Sequence, residues 1–177
     1  EHHNPATMGT LNAAGKFQAA FFQSVTTRTA GFASISQSGL TNGSKLLACL
    51  LMIVGGSPAG TAGGIKTTTV AVLLLTAISV LRGNKDTECY GRKITFEIIR
   101  VAITITLVTF VFWLFGVTVM TVIEPQQKVL DLMFEATSAM ATVGLTVDLT
   151  PVLSDISHVV LMLMMYIGRI GPMTMAL

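Results

Sequence analysis

Charge is scarce in this chain. Only 11% of its 177 residues are Asp, Glu, Lys or Arg, while 51% are apolar. Soluble domains carry about 25% charged residues. That balance excludes a water-soluble globule, and the apolar residues cluster into runs, as a membrane protein requires. A net charge of +2 excludes the strongly basic footprint of nucleic-acid binding. Cysteine is nearly absent. Cys49 lies in an apolar run and Cys89 in a charged loop, so neither a disulfide nor a metal site is implied. His2-His3 has no Cys or acidic partner at ligand spacing. No basic n-region opens the chain, so no cleavable signal peptide is expected. Glu1-His2-His3-Asn4-Pro5, without a Met at position 1, reads as the start of a segment cut from a longer chain.

Against these absences stands a repeated pattern. Ser24-Val25-Thr26-Thr27-Arg28-Thr29-Ala30-Gly31-Phe32 and Ala139-Met140-Ala141-Thr142-Val143-Gly144-Leu145 each read as the end of a short helix followed by Thr-x-Gly-apolar. Glycine admits φ > 0 and lets backbone carbonyls turn where other residues resist. Loops of the T-V-G-Y-G type present such carbonyls to bare potassium ions. The glycines stand 113 positions apart, from 31 to 144. The same offset pairs Phe21 with Phe134, Thr29 with Thr142, Leu40 with Leu153, Ser44 with Ser157, Leu50 with Leu163, Met52 with Met165, Gly55 with Gly168 and Thr61 with Thr174. An ungapped internal period of this length marks a repeat architecture, which membrane transporters often use.

In chain order, residues 1–16 read as a polar loop and 17–27 as a short amphipathic helix, too short to span a bilayer. Such a half-helix turns its negative dipole end to a cation. Residues 45–54 form a short apolar run. Then come Gly55-Gly56-Ser57-Pro58-Ala59-Gly60-Thr61-Ala62-Gly63-Gly64 and a second apolar run at 70–81. The spacing predicts one span broken into two half-helices by a loop at membrane depth, a pointer to a transport site. A phosphate-binding P-loop reading fails because Ile65 separates Gly64 from Lys66.

The segment 82–100 carries Arg82, Lys85, Arg92, Lys93 and Arg100 and is expected on the cytoplasmic side. Residues 94–123 predict one long apolar helix, with Trp113 packed at mid-span. Residues 124–155 hold Glu124, Asp131, Glu135, Asp148 and Asp155 against Lys128 alone. They are expected to form an acidic outer vestibule that concentrates cations. A second short helix is expected at 130–141 and a second half-run at 158–167, meeting Gly168-Arg169-Ile170-Gly171-Pro172. Glu1…Pro5 and Glu124-Pro125 read as the same corner in two repeats. An enzyme would need a convergent acid, base or nucleophile; His158, the one candidate within the membrane with a suitable pKa, has no evident partner.

The two Thr-x-Gly loops, the Gly55–Gly64 run with Ile65-Lys66-Thr67-Thr68, and Ile167-Gly168-Arg169-Ile170-Gly171-Pro172 resemble the Trk/Ktr/HKT family of potassium transporters over nearly the whole chain. The resemblance is strongest to its KtrB-type membrane subunits. It implies an all-α membrane fold of four helix–pore-loop–helix repeats around one pore. Residues 1–81 would be a partial third repeat, 82–93 a cytoplasmic loop and 94–177 the fourth repeat. Two of the four filter loops are then missing. The resemblance implies that Thr29, Ala30, Gly31, Phe32, Thr142, Val143, Gly144 and Leu145 form filter loops, that Gly55–Gly64 is a gate below them, and that Arg169 faces that gate. It further implies K⁺ as the transported ion, Na⁺ as a coupling or activating ion, a homodimer in the plasma membrane, and a cytosolic ring of nucleotide-binding regulatory subunits. A non-coupled cation channel is the rival reading, and a membrane scaffold a weaker one. One glycine per loop implies looser K⁺/Na⁺ selection than in a potassium channel. A charge within an apolar segment costs about 2.5–3.5 kcal/mol on insertion scales, so Arg169 is expected to find a partner.

Overall fold

The computed structural model describes residues 1–57, 63–83 and 86–170. These form six α-helices: α1 (Ala13–Thr26), α2 (Asn42–Ile53), α3 (Thr67–Leu81), α4 (Phe96–Ile123), α5 (Val129–Met140) and α6 (Asp155–Ile170). A two-residue-per-strand hairpin, β1 (Glu88–Cys89) with β2 (Arg92–Lys93), joins α3 to α4. A fold of helices with almost no sheet is therefore present. The hairpin was not legible in the expected loop. Its turn residues, Tyr90 and Gly91, both take φ > 0, at 49° and 75°, the geometry a tight two-residue hairpin demands. Tyr is a rare occupant of such a position.

Helix limits follow local chemistry. The Asn12 side chain accepts from Gly15 N at 2.8 Å and starts α1, four residues before the apolar pattern suggests. Thr41 caps α2, which ends just before Gly55-Gly56. α4 stops at Glu124, one residue before Pro125. At about 1.5 Å per residue, the 28 residues of α4 reach about 42 Å, more than the ~30 Å hydrocarbon core. It is the one described helix long and apolar enough to cross a membrane. Neither α2 (12 residues) nor α3 (15 residues) spans alone.

Helix α5 sits at the centre. Leu132, Phe134 and Ala136 are wholly buried, and α2, α4 and α6 pack around them. Full burial of each large side chain is worth about 1.5–3 kcal/mol. Lys45 of α2 and Asp131 of α5 form an ion pair at 2.7 Å with little solvent exposure. The Trp113 indole donates to Thr137 Oγ1 at 2.8 Å, tying α4 to α5. Trp113 thus packs at mid-span, as expected, and also bonds. Gly168 of α6 lies so close to the Met140 carbonyl that no side chain fits there.

The 113-residue offset is physical as well as textual. α2 begins at Asn42 and α6 at Asp155, 113 positions on. At both starts a glutamate holds the helix end. Glu1 Oε1 accepts from Thr41 N at 2.7 Å. Glu124 Oε1 accepts from Ser154 N and Ser157 Oγ, each at 2.8 Å. Thr41 and Ser154 are again 113 apart. The two Glu corners are structurally equivalent.

Candidate functional site

Both Thr-x-Gly loops leave the C-terminal end of a short helix. α1 ends at Thr26 and Thr27 caps it; α5 ends at Met140 and Ala141 caps it. In each loop φ alternates in sign. Thr29 stands at 71° and Gly31 at 76°; Thr142 stands at 52° and Gly144 at 94°; Ala30 and Val143 are not positive. Threonine resists the left-handed region, so the surrounding bonds hold it there. In the second loop Thr142 N and Val143 N donate to Ala139 and Ser138 carbonyls at 3.0 and 2.9 Å. In the first, Ala30 N and Gly31 N both donate to Thr26 O.

The loops lie side by side. A Cβ on Gly31 would collide with the Val143 carbonyl and stand 3.5 Å from the Gly144 Cα. Their settings differ. Val143 and Leu145 are buried, whereas Phe32 is 71% exposed. The second loop keeps its apolar side chains inside and only Gly144 is exposed, while the first leaves Phe32 open. Thr29 Oγ1 is buried without a hydrogen-bond partner among the described residues. Thr142 Oγ1 instead accepts from Gly63 N at 3.0 Å.

That bond joins the glycine run to the second loop. The chain leaves α2 and returns to α3 at one place: Val54 and Ile65 form a parallel bridge, and Gly55 N donates to Ile65 O at 2.8 Å. The run is a loop pinched at its neck, with Gly55, Gly56, Ser57, Gly63 and Gly64 described. Gly64, at φ 70°, packs on Ala141, and Gly63 leaves no room for a Cβ against Thr142 Oγ1. Pro58, Ala59, Gly60, Thr61 and Ala62 lie outside the described residues, as do Gly171, Pro172 and Thr174. Arg28 turns to the same neck, where its Nη1 donates to Val54 O. Arg169 sits in the last turn of α6, exposed, lining a cleft of about 770 Å³ with Thr142, Gly144 and Glu135.

Each loop is braced from behind. In the second, the buried carboxylate of Glu135 accepts from Thr146 Oγ1, from Val147 N at 3.0 Å and from Thr150 Oγ1 at 2.9 Å. In the first, the Gln23 and Gln37 amides bond one another, at 2.6 Å from Gln23 Nε2, and Thr26 Oγ1 donates to Phe32 O. These braces correct the acidic-vestibule expectation. Glu135 is buried, Asp131 is paired with Lys45, Glu124 caps α6 and Asp148 accepts from Ser38 Oγ at 2.7 Å. Four of the five acids are committed to structure. His158, expected without a partner, meets the Thr150 carbonyl at 2.9 Å. No cluster of three or more His, Cys, Asp or Glu gathers among the described residues.

Sequence reasoning missed the Lys45–Asp131 pair, the Glu135 hub and the Trp113–Thr137 bond. The signal available for the first was Lys45, the single charge of the short helix α2, since a charge in an apolar helix needs a partner and α5 offers two acids, Asp131 and Glu135.

A long apolar helix, two short apolar helices separated by a glycine loop, and short helices ending in Thr-x-Gly turns are compatible with an all-α membrane protein. The family profile described as TrkH, cation transport protein, matches residues 2–177. The chain belongs to that family. It is 40% identical over 174 residues to the Ktr system potassium uptake protein B of Bacillus subtilis (strain 168), covering 98% of this chain and 39% of that protein. It is 37% identical over 176 residues to the protein of the same name from Vibrio alginolyticus, covering 99% and 38%. It is 40% identical over 157 residues to the potassium/sodium uptake protein NtpJ of Enterococcus hirae, covering 87% and 35%. The chain spans about two fifths of the length of the first two relatives.

Proposed function

We propose that this chain forms two quarters of a potassium-uptake pore, and that K⁺ passes along Thr29-Ala30-Gly31-Phe32 and Thr142-Val143-Gly144-Leu145. The carrying observation is the alternation of φ in both loops, at matching positions. Alternating backbone turns successive N–H groups to one side and successive carbonyls to the other. A row of carbonyls at the negative end of a short helix is the arrangement that replaces a cation's water. Thr29 Oγ1, buried and without a bond among the described residues, adds a further oxygen. The potassium-uptake names of relatives support K⁺, and NtpJ's name supports Na⁺ as a second ion.

In this reading 1–81 is a partial repeat, 82–93 a cytoplasmic connection and 94–177 a second repeat, with both filters facing outward. The 113-residue offset supports an outer helix before this segment and a further repeat beside it. A groove of about 630 Å³ runs past Ser24, Thr27, Ser44, Ala48 and Leu51. Their counterparts 113 positions on, Thr137, Met140, Ser157, Leu161 and Met164, belong to the face of α5 and α6 beside α4. That groove suits an outer helix preceding this segment. Ala48 and Met52 pack the first half onto α5; their counterparts Leu161 and Met165 line the open cleft at Arg169. That cleft suits the next repeat.

The neck at Gly55, Gly63 and Gly64, bonded to Thr142, acts as the gate under the second filter. Arg169 is the cation that opposes passage until the loop moves. A homodimer on a cytosolic regulatory ring follows from the Ktr-system resemblance. Growth of a bacterium stripped of its own K⁺ uptake, at low external potassium, tests the assignment. The longer protein carrying this segment should rescue growth and its Gly31→Asp variant should not. Equal rescue by a folded Gly31→Asp variant contradicts the filter.

A further inference from the structure

Beside the gate's neck, the groove between α3 and α4 has a different chemistry. It measures about 510 Å³ and is almost wholly apolar. On α4 it runs from Ile103 past Leu107 and Phe110 to Trp113, and on α3 it meets Leu73. Gly64 and Ala141 also line it, the residues next to the Gly63–Thr142 bond. Ile103, Leu107 and Phe110 are about half exposed.

Three observations identify the occupant. First, each polar side chain in the lining is already bonded within the protein. Thr106 and Thr109 donate to the carbonyls of Ala102 and Ile105, at 2.9 and 2.8 Å. Thr137 donates to Met133 O at 2.6 Å and accepts from Trp113. The occupant therefore needs no hydrogen-bonding group along this stretch. Second, ten residues of helix rise about 15 Å, half of the ~30 Å hydrocarbon core. The groove is as long as one leaflet. Third, charge marks one end. Arg100 lies one turn before Ile103 and two turns before Leu107, on the same side of α4, and is exposed. Among the described residues it is in no ion pair that would neutralise it.

We propose that this groove binds one acyl chain of an anionic phospholipid, with the lipid phosphate held at Arg100 and the chain running along α4 toward Trp113. The proposal rests on α4 crossing the bilayer and is independent of ion passage. The positive-inside reading puts Arg100, and so the lipid, in the cytoplasmic leaflet. A basic residue near the surface favours an anionic headgroup by roughly 1 kcal/mol, which is about a fivefold preference.

Trp113 is the only tryptophan of the sequence and lines the groove, so it reports occupancy directly. The protein, with any tryptophan outside these 177 residues replaced by phenylalanine, is reconstituted into vesicles. Brominated phosphatidylglycerol or brominated phosphatidylcholine is then titrated, and quenching of Trp113 is read. Phosphatidylglycerol should quench at about one fifth the mole fraction that phosphatidylcholine needs. Arg100→Gln should bring the two curves together. Leu107→Phe, which narrows the groove without touching the charge, should weaken quenching by both lipids. Identical curves in the native protein, or a preference that survives Arg100→Gln, overturn the proposal. Absence of quenching by either lipid also overturns it, because protein would then fill the groove.

Discussion

Gly31 offers a measurement of how tightly the two loops are joined. Substituting alanine imposes two separable costs. One is the left-handed backbone at φ +76°, worth about 1–2 kcal/mol for a residue with a Cβ. The other is collision of that Cβ with the Val143 carbonyl, a backbone group that cannot swing aside. Overpacking of this kind costs about 1–3 kcal/mol more. Gly91, in the hairpin turn, provides the control: its φ is +75° and nothing lies within 4 Å of a built Cβ. Gly91→Ala should cost at most about 1–2 kcal/mol, and Gly31→Ala about 2–5 kcal/mol. In a chain of this size each kcal/mol lowers Tm by roughly 2–4 °C. Thermal unfolding in one detergent should place Gly31→Ala at least about 2 °C below Gly91→Ala. Equal midpoints would refute the contact, and with it the side-by-side placement of the loops.

Three other outcomes follow from the same geometry. Lys45→Met leaves Asp131 without its counter-ion and should cost about 3 kcal/mol, while Lys45→Met with Asp131→Leu should recover most of that; a double-mutant cycle on unfolding checks it. Glu135→Gln replaces an acceptor of three donors with a group that is itself half donor, and should cost about 1–3 kcal/mol; denaturant midpoints measure it, and a change in K⁺/Na⁺ preference would show the brace reaching the proposed filter. Burial raises the Glu1 carboxyl, but bonds from Thr7, Thr41 and Ser44 outweigh it and hold the group at about 2, below its ordinary 4.5. A depressed carboxyl stabilises the fold above its ordinary value and loses that contribution as pH falls from 4.5 toward about 2. Melting curves across that window should show the loss in the native chain and a flatter profile in Glu1→Gln.

Much of the architecture was legible because membrane solvation leaves few choices. The long apolar stretch became α4, and the Gly55–Gly64 run separates α2 from α3. The offset of 113 recurred in the starts of α2 and α6 and in Thr41 and Ser154, whose backbone N–H groups each donate to a glutamate. The site was less legible. Acids that read as a solvent-facing cluster proved to be braces, because charge in sequence says nothing of burial. Glu135 lies 11 to 15 positions from its three donors, a separation with no helical or strand period to reveal it. The asymmetry of the loops was also hidden. Thr29 and Thr142 look alike in sequence, yet among the described residues one hydroxyl lacks a partner and the other accepts from Gly63.

The most direct test of ion passage along these loops is K⁺ uptake into proteoliposomes by the longer protein, native beside Gly144→Asp. Gly144 stands at φ +94°, so aspartate both strains the turn and places a carboxylate among the carbonyls. Uptake should be lost, or ion preference altered, while the protein remains folded. Unchanged uptake and selectivity in a folded variant would make both Thr-x-Gly loops structural corners and contradict the account.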